Sequence, residues 1–205
     1  MSAGQVILIV CAYLGGSLPF GYWAGLLHGI DIRTVGSGNT GATNVWRVLG
    51  KRAGIPVLVL DIAKGFIPAF IGLQIAGAGT AILAGAAAVV GHTFPFLLGF
   101  GGGKGVATSG GVVLAVTPVN GIVLLVVFGV VLWLFRYVSL ASLTAAVLYP
   151  VSCILTGEPW PVIVFALAAA VGIVVRHRAN IGRLRAGTEA RTRSFGRGAP
   201  GRGAA

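Results

Sequence analysis

Residues 111–134 have the sequence GVVLAVTPVNGIVLLVVFGVVLWL, and this stretch decides how the chain is arranged in space. It is long enough for one membrane-spanning helix, which needs about 20 apolar residues. The segment TPVNG at 117–121 interrupts it with residues that break helices and favour turns. The stretch therefore either crosses a membrane once or forms two short segments that meet at the break.

The rest of the chain is also dominated by apolar segments. Of its 205 residues 56% are hydrophobic and only 9% are charged, whereas a soluble domain carries about 25% charged residues. This composition excludes a soluble enzyme, a disordered chain and a disulfide-rich secreted domain. Lipid offers no hydrogen-bond partners to the backbone N–H and C=O groups at the open edge of a β-strand, so the apolar stretches must be helices. Six of them are visible, at about 4–27, 53–75, 80–99, 111–134, 138–156 and 161–175.

The distribution of basic residues decides between the two arrangements of 111–134. The chain has 15 Lys and Arg against 4 Asp and Glu, and eight arginines follow Gly172. Basic loops of membrane proteins stay in the cytoplasm. A single crossing by 111–134 would place Arg136 and the C-terminus on the opposite, non-cytoplasmic side of the membrane. We therefore predict an all-α, polytopic integral membrane protein of about seven helices, with the N-terminus outside and the C-terminus cytoplasmic. The fourth and fifth helices would be short, and a re-entrant pair would satisfy the same charges.

The chain is predicted to form one transmembrane domain over 1–189, followed by a disordered Arg/Gly-rich tail over 190–205. The two cysteines, Cys11 and Cys153, lie in apolar runs and have no spacing typical of a disulfide or a metal site. No metal and no cofactor are expected. Asp61 and Lys64 lie three residues apart in the second apolar run, where a mutually paired structural role is favoured over a direct functional one.

The first polar stretch contains GSGNTGATN at 36–44, followed by Arg47. Glycines allow backbone conformations in which successive N–H groups converge on an anion, and the guanidinium of Arg47 matches a phosphate. Four further side chains carry neutral hydrogen-bonding groups: Ser37, Asn39, Thr43 and Asn44. Such clusters are equally common in solvated turns, where Thr43 or Asn44 would cap a helix. Composition alone leaves both interpretations open.

The second polar stretch contains FGGGKGVAT at 100–108, with His92 shortly before it. A lysine in a glycine run resembles a nucleotide-binding P-loop, but Gly105 stands where that motif needs Ser or Thr. Nucleotide hydrolysis is therefore disfavoured, and an anion-binding lysine remains. Lys104 could instead be a cytoplasmic charge that orients the chain. His92 is either an interfacial histidine or a direct participant.

The third polar stretch contains RHRANIGRLRAGTE at 176–189 and follows the last apolar run directly. His177 and Asn180 lie on one face of a helix at this spacing, which favours contact with a ligand. A basic helix that grips lipid headgroups is the alternative. From residues alone the chain is thus a membrane protein with two or three anion-binding elements on its cytoplasmic face, and phosphates are the obvious ligands.

Together the three stretches resemble the PlsY family, the bacterial acyl-phosphate:glycerol-3-phosphate acyltransferases. The resemblance covers about 4–191 and rests on GSGNTGATN with Arg47, on GHTFPFLLGFGGGKGVAT and on HRANIGRLRAGTEAR. The His-x4-Asp dyad of other glycerolipid acyltransferases is absent, because the residues five positions after the three histidines are Arg33, Leu97 and Gly182.

The resemblance implies a reaction and a location. An acyl phosphate would donate its long-chain acyl group to the 1-hydroxyl of glycerol 3-phosphate, giving 1-acylglycerol 3-phosphate (lysophosphatidic acid) and phosphate, the first step of bacterial phospholipid synthesis. The protein would be a multi-pass protein of the bacterial inner membrane with a cytoplasmic active site. Its partners would be these two substrates and the bilayer, with no nucleic acid and no obligate protein partner.

The resemblance also implies roles for individual residues. The loop would cradle the acyl phosphate through Ser37, Gly38, Asn39, Gly41, Thr43 and Asn44. The catalytic residues would be Arg47 and Lys104, which neutralise phosphate, and His177 and Asn180, which contact glycerol 3-phosphate. Ser142 would assist binding, and the acyl chain would lie between helices in lipid. The proton acceptor is either the phosphate of the donor or His177.

An anion or phosphate-ester transporter is the alternative, because broken helices whose ends point at an anion suit that function too. Against it, the basic glycine motifs lie at the ends of the apolar stretches, and no inverted repeat is visible.

Overall fold

A computed structural model describes residues 1–192. In this part of the chain the secondary structure is helical, with nine α-helices and one 3-10 turn at Phe96–Leu98. The α-helices are α1 (Ala3–Gly16), α2 (Phe20–Leu27), α3 (Ala42–Leu49), α4 (Lys51–Thr93), α5 (Val106–Val116), α6 (Pro118–Phe135), α7 (Val138–Leu155), α8 (Trp160–Arg176) and α9 (Arg178–Arg185).

Helix α4 is a hairpin of two helical arms. Its backbone leaves the helical region at Ala76 and Gly77, and Gly77 adopts a φ of +74° that favours glycine. An unbroken helix would separate Asp61 from His92 by about 46 Å, yet Asp61 Oδ1 lies 3.5 Å from His92 Nδ1. The arms therefore lie side by side, as the predicted stretches 53–75 and 80–99 require.

The apolar stretch 111–134 is interrupted at the position that the sequence predicted. Helix α5 ends at Val116 and α6 begins at Pro118, whose missing N–H and fixed φ suit a first helical position. A Cβ on Gly121 would lie 3.3 Å from the Cα of Leu114, so the chain turns back on itself there. The prediction of two short helices is correct only for α5, of 11 residues. Helix α6 has 18 residues because the break divides the apolar segment unequally.

Helix α5 lies at the centre of the bundle, and small residues allow its close approach to α4. A Cβ on Gly65 would lie 2.0 Å from the carbonyl oxygen of Thr108, and one on Gly111 would lie 2.1 Å from that of Ile62. Backbones this close exclude any larger side chain. Val112 of α5 is fully buried in the main apolar core. The first turn of α5, and the loop before it, are thereby held in a fixed position.

The polar connections fall at opposite ends of α6, which is about 27 Å long. At its start, Asn120 Nδ2 donates to Thr156 Oγ1 at 3.1 Å and to Glu158 Oε1 at 3.0 Å. At its other end, the carbonyl oxygen of Arg136 accepts a hydrogen bond from the backbone N–H of Thr192 at 2.8 Å. The two connections that flank α6 therefore belong to different ends of the bundle.

Four segments of the described chain are long and apolar enough to cross a membrane, or five if the bent pair Trp160–Arg176 and Arg178–Arg185 is one span. One of the four, Lys51–Leu98, contains the α4 hairpin and so supplies two arms. The predicted all-α membrane protein of seven helices is thus made up of α1 with α2, the two arms of α4, α5, α6, α7, and α8 with α9. The order in which they cross the bilayer remains a prediction.

The predicted tail begins inside the folded part of the chain. Arg191 Nε donates to Tyr137 Oη at 3.0 Å, and the backbone of Thr192 bonds to Arg136 as described above. The rest of the predicted tail, residues 193–205, lies outside the described residues.

Candidate active site

A polar chamber of about 150 Å³ opens at the end of the bundle where Arg136 lies. Three segments that are far apart in sequence meet around it: the loop before α3, the loop before α5, and the junction of α8 with α9. The polar residues that line it are Ser37, Asn39, Thr43, Asn44, Arg47, Asp61, His92, Lys104, Ser139, Ser142, His177, Asn180 and Glu189.

The loop before α3 (the first loop, 36–41) is held together by Asn44. Asn44 Oδ1 accepts a hydrogen bond from the N–H of Ser37 at 2.8 Å, and Nδ2 donates to the carbonyl oxygens of Ile32 and Val35, each at 3.1 Å. Gly36 has a φ of +62°, and a Cβ there would lie 2.3 Å from Asn44 Oδ1. The side-chain amide of Asn44 therefore holds the loop in shape, because both its oxygen and its nitrogen are hydrogen-bonded to the loop backbone.

The first loop offers an anion the start of a helix and an arginine. Gly41 is the N-cap of α3, and no side chain caps the first amide groups of that helix. Gly41, Ala42 and Thr43 line the chamber, and Arg47 lies one turn further on. The start of a helix attracts anions because its N–H groups are free and its dipole is positive there.

The loop before α5 (the second loop, 99–105) carries Lys104 into the chamber. Its backbone pairs with the end of α4, since the N–H of Gly103 donates to the carbonyl oxygen of His92 at 3.0 Å and that of Gly102 to Thr93 at 3.2 Å. Burial, together with neighbouring arginines, lowers the pKa of Lys104 to about 8. The ammonium is therefore mostly charged at neutral pH and poorly solvated, so an anion would find few competing waters.

His177 lies buried at the junction of α8 and α9, and its ring has a defined tautomer. Nδ1 lies 2.8 Å from the carbonyl oxygen of Ile173, and since a carbonyl only accepts, Nδ1 carries the hydrogen. Burial, reinforced by the charge of Lys104, lowers the pKa of His177 to about 4. The imidazole is therefore neutral at neutral pH, and Nε2 is a hydrogen-bond acceptor.

A chain of hydrogen bonds fixes Asn180 opposite Lys104. Lys104 Nζ donates to Asn180 Oδ1, and Asn180 Nδ2 donates to Glu189 Oε1 at 2.6 Å. Glu189 Oε2 in turn accepts from Arg183 Nε at 2.6 Å. Burial would raise the pKa of Glu189, but the hydrogen bonds from Asn180 and Arg183 outweigh it and hold that pKa below its usual value. The carboxylate thus stays charged and orients the amide of Asn180.

An apolar cavity of about 240 Å³ adjoins the chamber between α4, α5, α6, α7 and α8. Five residues line both spaces: Leu58, Val106, Ala107, Phe128 and Ser142. Ser142 Oγ donates to the carbonyl oxygen of Val138 at 2.8 Å, so this hydroxyl is satisfied within its own helix. A molecule with a charged head and a long apolar chain would fit the two spaces together.

Comparison with known proteins identifies the family. The sequence profile described as Glycerol-3-phosphate acyltransferase matches residues 6–187. The chain belongs to the glycerol-3-phosphate acyltransferase family. It is 47% identical over 189 residues to the Glycerol-3-phosphate acyltransferase of Aquifex aeolicus, covering 91% of this chain and 98% of that one. It is also 47% identical over 205 residues to the one of Enterococcus faecalis, covering 93% of each chain.

Two solved structures have the same fold as this acyltransferase. Both are of PlsY, an integral membrane glycerol 3-phosphate acyltransferase, and each is 44% identical to this chain. The glycerol 3-phosphate form has a TM-score of 0.90 over 92% of this chain and 96% of its own. The lysophosphatidic acid form has a TM-score of 0.85 over 92% and 95%. The predicted family, the membrane character and the acyltransferase function are confirmed, and the transporter alternative is not supported.

Of the eleven residues that the resemblance selected, ten line the chamber of the acyltransferase. The exception is Gly38, which has a φ of +68° and turns the first loop instead. Asn44 lines the chamber, but its amide bonds to the loop backbone as described above. The individual roles of these residues remain predictions.

Four polar residues of the chamber wall are not among those eleven: Asp61, His92, Ser139 and Glu189. Asp61 was expected only to pair with Lys64, which it does at 2.9 Å, but it also contacts His92 and reaches the chamber. Glu189 belongs to the third motif, and its value as an anchor for Asn180 depends on a fold that the motif does not reveal. Ser139 has no sequence signal, because a serine in an apolar helix is common. Among residues 1–192 no group of three His, Cys, Asp or Glu side chains could hold a metal ion.

Proposed function

We propose that the chamber transfers a long-chain acyl group from acyl phosphate to the 1-hydroxyl of glycerol 3-phosphate. The products are 1-acylglycerol 3-phosphate and inorganic phosphate. The observation that carries the proposal is the junction of the polar chamber with the apolar cavity, beside three separate groups that suit phosphate: the start of α3, Arg47 and Lys104.

Glycerol 3-phosphate would bind beside the junction of α8 and α9. The related PlsY structure in its glycerol 3-phosphate form supports this substrate. Neutral His177 presents an acceptor at Nε2 for a hydroxyl group, as its bond to Ile173 requires. Asn180 is held by Glu189 and lies against the Lys104 ammonium, which would neutralise the phosphate of the acceptor or that of the leaving group.

The acyl phosphate would bind with its head at the first loop and its chain in the apolar cavity. The uncapped start of α3 and the guanidinium of Arg47 suit a phosphate dianion. Mainly apolar side chains from five helices enclose the adjoining cavity, which suits a hydrocarbon chain. The expectation of a chain lying in lipid is thereby narrowed to a cavity inside the bundle.

The reaction needs positioning and charge neutralisation more than a protein nucleophile. The 1-hydroxyl oxygen attacks the acyl carbon, the bond from that carbon to the phosphate oxygen breaks, and phosphate leaves with the bonding pair. Fixed cations stabilise that developing charge in a site with little water. The hydroxyl proton passes to a phosphate oxygen of the donor, because a dianionic phosphate is available near pH 7 and His177 has a pKa of about 4.

We further propose that the chamber faces the cytoplasm of a bacterial inner membrane, with the N-terminus outside and the C-terminus inside. Five basic residues belong to the chamber end of the bundle: Arg47, Lys104, Arg136, Arg176 and Arg183. The other end holds the Asn120 cluster with Glu158. Basic residues accumulate on the cytoplasmic side of membrane proteins, which supports this orientation.

The test is a transfer assay with the purified protein in detergent or vesicles. Acyl phosphate and glycerol 3-phosphate should yield lysophosphatidic acid and phosphate in equal amounts. When acyl-CoA or acylated acyl carrier protein replaces the acyl phosphate, no lysophosphatidic acid should form. Transfer from acyl-CoA at a comparable rate would contradict the proposed donor.

The orientation is tested by labelling. Single cysteines at 136 and 190, in a protein that lacks Cys11 and Cys153, should be labelled only from the cytoplasmic side. Labelling from outside would contradict the proposed orientation.

A further inference from the structure

The backbone beside Lys104 is held by a residue from another part of the chain. Arg176 Nη2 donates to the carbonyl oxygen of Gly102 at 2.8 Å and to that of Gly103 at 3.0 Å. Within the described chain, Arg176 lies outside the wall of the chamber, although its neighbour His177 belongs to it. Its guanidinium thus contacts the second loop and not the space where substrates would bind.

A second side chain supports the same backbone from a different direction. A Cβ on Gly103 would lie 2.0 Å from His92 Nε2, so the imidazole occupies the space in which a side chain at 103 would stand. That ring is only 7% exposed, and its Nδ1 lies 3.5 Å from the carboxylate of Asp61. Asp61 is itself fixed by Lys64 at 2.9 Å. The ring therefore has little freedom to withdraw.

These two contacts converge on the residues just before Lys104. Hydrogen bonds from a charged donor to carbonyl oxygens are among the stronger ones in proteins. A glycine loop that is free to move would let the lysine ammonium sample many positions, because glycine has little intrinsic conformational preference. Positions for fixed charges in an active site need an accuracy of about 0.5 Å.

We propose that Arg176 and His92 are positioning residues that hold the Gly102–Gly103 backbone and thereby fix Lys104 opposite Asn180. The contact also couples two substrate-binding elements, because Arg176 is bonded directly to His177 along the chain. This inference rests on the proposed function, in which Lys104 neutralises phosphate. Its prediction is that both residues act on transfer through the position of Lys104: Arg176 from outside the chamber, and His92 from the chamber wall.

The first experiment compares Arg176→Gln with Arg178→Gln, which removes a neighbouring but exposed arginine. We expect Arg176→Gln to lower kcat/KM about tenfold or more, Arg176→Lys to recover much of this loss, and Arg178→Gln to stay within about twofold of the unaltered protein. In the Lys104→Ala background, Arg176→Gln should cause no further loss. A loss of the same factor in that background would show that Arg176 acts independently of Lys104 and would overturn the proposal.

A second measurement does not depend on transfer. The chain has three lysines, Lys51, Lys64 and Lys104, so an amine-specific reagent and peptide mass spectrometry can follow Lys104 separately. We expect Arg176→Gln to change the labelling rate of Lys104 several-fold while that of exposed Lys51 stays constant. Unchanged labelling would overturn the inference. Absence of transfer in the unaltered protein, with the labelling change present, would instead count against the proposed function.

The contribution of His92 is tested through Gly103. Gly103→Ala should lower kcat/KM more than tenfold, because the methyl group meets the ring, whereas Gly101→Ala should have little effect because the nearest atom would lie 3.6 Å away. Replacing His92 by Asn keeps a donor for Asp61 and removes the ring beside Gly103. The double variant Gly103→Ala with His92→Asn should therefore be more active than Gly103→Ala alone. Equal activity of Gly103→Ala and the unaltered protein would overturn the role of His92, and elution as a folded protein from a sizing column controls for folding.

Discussion

The two glycine-rich loops that border the chamber are held in different ways. The first loop is held from within, since Asn44 bonds to Ser37, Ile32 and Val35, all within twelve residues. The second loop pairs with the end of α4, and it is also held by Arg176, more than seventy residues away. The first loop is therefore shaped by its own sequence, whereas the position of the second depends on the packing of the whole bundle.

The difference separates the two effects that a substitution can have on the site. A change in the first loop should alter its local shape and the start of α3 together. A change around the second loop should alter the position of one cation, Lys104, while leaving the rest of the chamber in place.

The largest effect is expected from the two cations themselves. Arg47→Ala and Lys104→Ala should each lower transfer about 100-fold or more, because each removes a charged contact to phosphate in the transition state. Steady-state assays with acyl phosphate measure this, and Arg52→Ala, which removes an exposed arginine at the start of α4, is the matched control. Near-normal turnover in both chamber variants would contradict the phosphate sites.

The next effect should come from the first loop. Asn44→Asp keeps an acceptor for the N–H of Ser37 but loses the donors to Ile32 and Val35. Losing these buried bonds should lower the free energy of unfolding by about 1–3 kcal/mol, and kcat/KM should fall about tenfold. Thermal unfolding and transfer assays measure the two effects.

Asn39→Asp serves as the comparison for stability, because the acceptor that Asn39 offers to the N–H of Gly41 is retained. Its melting temperature should therefore lie between those of the unaltered protein and Asn44→Asp. A melting temperature for Asn44→Asp equal to that of the unaltered protein would contradict the structural role of its amide.

A smaller effect concerns pH and the second loop. Because the pKa of Lys104 is lowered to about 8, kcat/KM should fall as the pH rises through 8 and the ammonium loses its proton. Lys104→Arg retains its charge at this pH, so it should remove the fall or move it upward, even if it lowers the maximum. A pH–rate profile from 6 to 10 measures both proteins. An identical alkaline limb in the two would contradict the assignment to Lys104.

The smallest effect is expected at His177. Because its pKa lies at about 4, it should not produce an acidic limb near pH 6.5. His177→Ala should therefore raise KM for glycerol 3-phosphate, by about fivefold for one lost hydrogen bond, and leave the shape of the pH profile intact. Asn180→Ala should behave in the same way. Loss of an acidic limb in the histidine variant alone would identify His177 as the general base.

Much of the fold could be predicted because it depends on local sequence. Apolar length, the break at 117–121 and the distribution of basic residues were sufficient to predict seven helices. The unequal lengths of α5 and α6 were not predicted. They follow from the position of the break, which lies near the start of the stretch 111–134. The packing of α5 against both arms of α4, by contrast, has no signature along the chain.

The site was predictable where a motif holds both the ligand-binding groups and their support, as in the first loop. It was not predictable where the support comes from elsewhere. Asp61 and His92 are 31 positions apart and meet only because α4 folds back at Gly77. In the sequence Arg176 is one of many basic residues beside the membrane, and nothing in its motif predicts its hydrogen bond to the second loop.

The most direct test of the chemistry is to follow the acceptor oxygen. Glycerol 3-phosphate labelled with ¹⁸O at its 1-hydroxyl is incubated with unlabelled acyl phosphate and the purified protein, and the products are weighed by mass spectrometry. Attack on the acyl carbon predicts ¹⁸O in the ester of lysophosphatidic acid and none in the released phosphate. Glycerol bisphosphate with ¹⁸O in its new C–O–P bond, released together with free fatty acid, would contradict this, because the hydroxyl would then have attacked phosphorus and the chamber would transfer phosphoryl groups.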